Sequence, residues 1–121
     1  MKADALSIVH PAGTRIAEGK KTLEIRSWLP PRLPLLDLLV VENHRRLERD
    51  GEVDADGLGV AWIDILRVRP WTEEDARRDG HRFQSGYHAW EISNLRPVTE
   101  PFRVPAERGI YQVEVTEALP K

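Results

Sequence analysis

Gly19-Lys20-Lys21-Thr22-Leu23-Glu24-Ile25-Arg26 sets a cation, a carboxylate and a second cation around two apolar side chains. A strand turns successive side chains to opposite faces. Leu23 and Ile25 then point one way, into a core, while Thr22, Glu24 and Arg26 line the other face in a row. Lys21 stands where the strand begins, just after a glycine suited to end a helix. A lysine beside a glutamate and an arginine has the chemistry to bind a phosphate, polarise a carbonyl or move a proton.

Working outward, Ala5 to Val9 reads as a first strand, and Pro11 suits the first turn of a helix running to about Glu18. Thr22 to Arg26 is the second strand. The connector Leu29-Pro30-Pro31-Arg32-Leu33-Pro34 follows, and its prolines exclude a central strand. Leu35 to Glu42 is almost continuously apolar, the pattern of a strand buried on both faces. Arg45 to Asp56 is charged and ends in the turn signal Asp56-Gly57, which predicts an exposed excursion with room for one helical turn. Gly59 to Val68 is a strand. Thr72-Glu73-Glu74-Asp75 opens a short surface helix like a capping box, and Gly80 stops it. Tyr87 to Ile92 and Ile110 to Val115 are the last strands. Asn94 to Arg108, with its three prolines, is expected to be an ordered loop. Six short strands with peripheral helices predict a mostly-β, α+β fold, a small curled sheet or barrel.

The bulk numbers narrow the function. A chain of 121 residues fits a single domain, 1–121, with one core. There is no cysteine, hence neither a disulfide framework nor a thiolate metal site, which leans towards the cytoplasm. Met1 to Val9 carries Lys2 and Asp4 and does not read as a signal peptide. The most apolar run, Leu33 to Val41, is interrupted by Pro34 and Asp37 and is too short to span a bilayer. With 18 Lys and Arg against 20 Asp and Glu, the net charge of −2 excludes the whole-molecule basic field of a duplex DNA binder. Any nucleic-acid contact has to come from a local patch. The histidines His10, His44, His81 and His88 lack metal-ligand spacing, and neither a metal nor an organic cofactor is expected.

Gly19-x-Lys21-x-x-Glu24-x-Arg26 resembles the G-x-K-x-x-E-x-R signature of the ASCH domain, the module named after activating signal cointegrator homology. The flanks agree: a helix beginning near Pro11, Ser27-Trp28 after the motif, and a late strand end at Trp90-Glu91-Ile92-Ser93-Asn94. The resemblance runs from about Ala5 to Val115. It implies a PUA-like β-barrel with two or three short peripheral helices and a cleft for RNA or a modified nucleoside. Within the family, small bacterial members that hydrolyse the amide of acetylated cytidine use a lysine aligned with Lys21 as base and a threonine aligned with Glu24 as nucleophile. A glutamate after the central strand completes their site. Here Lys21 matches, a carboxylate stands at 24 in place of the hydroxyl, and Glu73 and Glu74 are the nearest candidates for the third group. Other members are described as ribonucleases or as nucleic-acid-binding modules.

The expected site is therefore Lys21, Glu24 and Arg26 as the chemical group, with Ser27, Trp28, Trp90, Ser93 and Asn94 as nucleic-acid contacts. Lys21 would contact phosphate or act as the base, Glu24 would hold its neighbours or take a proton, and Arg26 would clamp an anionic oxygen with its fixed fork of donors. The same trio also suits a plain ion pair on a strand, worth about 0–1 kcal/mol at a surface. Trp28 and Trp90 suit either base stacking or packing; Ser93 and Asn94 suit either base reading or a turn cap. Trp62, among Val60, Ile63 and Ile65, reads as core. Three functions stay open: a binding module for RNA or a modified nucleoside, a hydrolase acting on acylated cytidine or single-stranded RNA, and a non-catalytic protein-interaction domain.

Overall fold

The computed structural model describes residues 1–116. Its elements are β1 (Lys2–Val9), α1 (Ala12–Ala17), β2 (Leu23–Arg26), β3 (Leu35–Asn43), β4 (Leu58–Pro70), α2 (Glu73–Arg78), β5 (His88–Arg103) and β6 (Ile110–Glu114). All six strands belong to one sheet in the order β2-β5-β4-β3-β1-β6. The β1–β3 pair is parallel and the others are antiparallel. The expected mostly-β architecture with two short helices is present. Residues 117–121 of the expected 1–121 domain lie outside the described residues.

The expected barrel does not close: β2 and β6 are the two edges of the ladder. The sheet is nevertheless tightly curled. In a flat sheet, β2 and β1 would stand about 19 Å apart, four strand spacings. Here Arg26 of β2 donates from Nη2 to the Ser7 carbonyl of β1 at 3.0 Å. Three register shifts between β4 and β5 help to bend this long ribbon, because a bulge adds local twist.

β3 is central and buried on both faces, as its apolar run predicts. Leu38 and Val40 join Leu6, Ile8, Ile63, Ile65 and Trp90 in one cluster, which α1 covers through Ile16. Leu39 and Val41 join Trp62, Tyr111 and Val113 in a second cluster. A register shift between Leu35 and Leu38 lets both face the first cluster and leaves Leu36 and Asp37 outside.

Two segments differ from expectation. Asn94 to Arg108 is not a loop throughout, since β5 continues to Arg103 and carries Pro97 and Pro101. β2 pairs only with the His88–Glu91 end of β5, so beyond it the outer edge of β5 has no partner strand among the described residues. Proline's missing N–H is harmless at such an edge. The 45–56 excursion contains no helical turn; its one ladder contact among the described residues is the Asp54–Ala106 bridge.

α1 starts without a side-chain cap from Pro11. Glu42 on β3 supplies it from outside, accepting from the Thr14 amide (2.6 Å), the Thr14 hydroxyl (2.7 Å) and His10 Nδ1 (3.1 Å). Gly13 makes room, since a Cβ there would come within 2.9 Å of Glu42. Burial opposes the charged carboxylate, but these donors outweigh it and hold the Glu42 pKa below its usual value of 4.5. A depressed carboxylate contributes stability above its unfolded pKa and loses it as pH falls through the folded one. The unfolding midpoints of the parent chain and Glu42→Gln should therefore differ at pH 7, and the gap should narrow as pH falls below 4.5 towards the depressed folded-state pKa. A gap of constant size from pH 7 through the acid range would refute the assignment.

Candidate functional site

The signature strand is delivered by a tight reversal after α1. Gly19 adopts φ +76, and the amides of Lys20 and Lys21 both donate to the Arg15 carbonyl. Lys21 is thereby fixed at the head of β2. Directly opposite residues on paired strands share a face. Glu24 lies opposite Trp90, and Ile25 opposite Ala89. Trp90 belongs to the large cluster under α1, whereas Ala89 and Leu23 belong to a satellite cluster with Trp71 and Ala76 of α2. The orientation of β2 thus departs from the simple expectation. Its apolar side chains enter the minor cluster, and its charged ones face the main interior.

Glu24 is consequently buried, at 6 % exposure. Lys21 Nζ and Arg26 Nη2 each stand 3.8 Å from one of its oxygens. Oε1 also accepts from the Ile25 amide at 3.1 Å. Glu24 Oε2, Arg26 Nε and Trp90 Nε1 are buried without a hydrogen-bond partner among the described residues. Buried polar atoms left unpaired are costly, so this cluster has unused capacity for hydrogen bonds.

Beyond Arg26 the chain opens into a cavity of about 520 Å³. Arg26, Ser27 and Trp28 form one wall, Ser7, Val9 and Asn43 the strand ends behind it, and Tyr87, Arg46 and Arg108 further sides. The Arg26 guanidinium lies 5.8 Å from the Trp28 ring centroid, and Trp90 meets Trp28 edge-on at 5.0 Å. The ASCH domain family model matches residues 6–102 of the chain. The chain belongs to the ASCH domain family. No curated protein matches it in sequence.

In this ASCH domain the expected residues separate into three groups. Lys21, Glu24 and Arg26 come together as one charged group, of which only Arg26 reaches the cavity wall. Ser27 and Trp28 line the cavity, while Trp90 is fully buried behind Trp28. Ser93 and Asn94 lie elsewhere and are committed to Asp64: the Ser93 hydroxyl donates to its backbone carbonyl, and the Asn94 amide to its carboxylate at 2.9 Å. Burial works against the Asp64 charge, but the Asp37 amide, Asn94 and Arg96 outweigh it and hold its pKa below the usual value.

Glu73 and Glu74 do not complete the group. They belong to α2, whose Ala76 packs with Leu23 and Ala89 on the reverse face from Glu24. Among the described residues no cluster of three His, Asp or Glu could hold a metal ion, and no helix is long and apolar enough to cross a membrane.

Sequence reasoning missed Arg46, Asn43 and Tyr87 as cavity residues; of the scattered Arg77, Arg78, Arg82, Arg96, Arg103 and Arg108, expected to converge on a phosphate-holding rim only as a hypothesis without spacing support, Arg108 alone lines the cavity. Arg45-Arg46 with Arg49, interleaved with Glu48 and Asp50, reads as a solvated charged run. Only the curl of the sheet gathers Arg46 and Arg108 beside Trp28.

Proposed function

We propose that this ASCH domain binds RNA or a modified nucleoside in the cavity beside the signature strand. The observation that carries the reading is position: the chain leaves Arg26 directly into a 520 Å³ cavity walled by Arg26, Ser27 and Trp28. Trp28 offers a stacking surface. Arg26 is held through Nη2, which donates to the Ser7 carbonyl and stands 3.8 Å from Glu24. Lys21 and Glu24 stand behind it as support. The PUA-like kinship implied by the signature agrees with a nucleic-acid ligand, as does the excess of arginine at the cavity over the net-negative remainder of the chain.

Binding of a single-stranded RNA pool across a salt series tests this reading. Affinity should fall with salt, with a slope of about −0.7 per phosphate neutralised. Weak, salt-insensitive binding would favour a protein-interaction domain instead.

A second reading, hydrolysis, is supported by Lys21 and Glu24 themselves. An ammonium beside a buried carboxylate with one unpaired oxygen has the parts to move a proton. Incubation with acylated nucleosides and short RNAs, read by mass spectrometry, should show turnover that Lys21→Ala abolishes. Equal turnover in Lys21→Ala would remove Lys21 as the base, and none in the parent chain would reduce the site to binding.

A further inference from the structure

Arg46 follows β3 and Arg108 precedes β6; both line the cavity that the signature strand opens into. Arg108 is anchored from one nitrogen only: Nη1 donates to the Glu48 carbonyl at 2.8 Å and stands 3.5 Å from Asp50. Its Nη2 and Nε are uncommitted among the described residues. Asp50 is 99 % exposed and so neutralises Arg108 weakly. Arg46 has neither an ion-pair nor a hydrogen-bond partner among the described residues. Other arginines of the sheet are spent internally: Arg69 on Asp75 and Glu91, Arg96 on Asp37 and Asp64.

The cavity therefore carries three arginines against one aspartate on a chain of net charge −2. Two of these guanidiniums retain free forks, the geometry that grips a phosphate through paired N–H donors. Trp28 and Tyr87, on the same cavity, are suited to the flat face of a base.

We propose that the ligand is a phosphorylated nucleotide unit rather than a bare nucleoside, with its phosphate clamped by Arg46 and Arg108. This rests on the nucleic-acid reading above. The four ribonucleosides, their 5′-monophosphates and a random-sequence RNA hexamer should be titrated calorimetrically at low salt into the parent chain, Arg46→Ala and Arg46→Ala/Arg108→Lys. Arg46→Ala removes a side chain that holds nothing else in place, and Arg108→Lys keeps the charge but loses the fork.

The monophosphates should bind the parent about tenfold or more tightly than the nucleosides. That advantage should shrink in Arg46→Ala and shrink further in the double variant, with nucleoside affinity unchanged; an advantage equal to the parent's in both variants overturns the clamp. Tighter binding of the hexamer than of any monophosphate would assign the phosphate to a strand backbone; equal binding would assign it to a free nucleotide. Equal affinity for nucleosides and monophosphates in the parent chain overturns the clamp and leaves the nucleoside reading standing. No binding by any of the three ligand classes overturns both.

Discussion

Arg26→Ala is expected to destabilise the fold by about 3 kcal/mol, because it strips a buried carboxylate of one of its two counter-charges. Glu24 is 6 % exposed, with Lys21 and Arg26 each at 3.8 Å. Without the guanidinium, Glu24 Oε2, already lacking a hydrogen bond, loses the cation it faces, and Lys21 remains beside Oε1 alone. The Ser7 carbonyl loses its donor at the same time, and with it the side-chain link between β2 and β1 across the open edge of the curl. Arg26→Lys should recover only part of the loss, since it restores a counter-charge to Glu24 without the length and planar shape that carry Nη2 to both Glu24 and the Ser7 carbonyl. Urea unfolding gives the readout, with a lower midpoint at unchanged slope as the expected pattern. Adding Glu24→Gln to Arg26→Ala should recover part of the loss, because the stranded charge is then gone while the Ser7 contact is still missing. Equal stability of Arg26→Ala and the parent chain would mean that Glu24 needs no partner beyond Lys21.

Trp28→Ala should weaken single-stranded RNA binding by about 1–3 kcal/mol, the value of one lost base–aromatic stack. The indole is half-buried and lines the cavity, with Arg26 over its ring and Trp90 against it at right angles. Trp28→Phe keeps a π-face and should retain most of the affinity. The indole also packs against the main cluster, so the unfolding midpoint of each variant must be measured alongside. Loss of stability with full RNA affinity would make Trp28 a packing residue and move the base elsewhere in the cavity.

The site and the fold were legible in the sequence to different depths. The signature octapeptide carried the family, and Lys21, Glu24 and Arg26 do meet in space. Alternation located β2 but not the direction of its faces. Both faces of this sheet are covered, so apolar Leu23 and Ile25 satisfy a core on either side, and a two-residue period cannot choose between them. The prolines hid the second half of β5, because proline opposes a central strand but not an edge, and a strand becomes an edge only through the shortness of its neighbour. Ser93 and Asn94 read equally well as base readers or as turn formers; the buried Asp64 opposite them engages both.

By itself the sequence determined what is local: six strand segments, two helix starts, the capping box of α2 and the charged row on β2. These follow from residue type, backbone preference and short-range periodicity. The tertiary structure alone decided what is distant: the open ladder with Arg26 bridging its curl, Glu42 capping α1 from another strand, and the meeting of Arg46 and Arg108 with Trp28 at one cavity. The physical reason is that each of these joins residues far apart along the chain, brought together by strand order and twist, which no local pattern encodes.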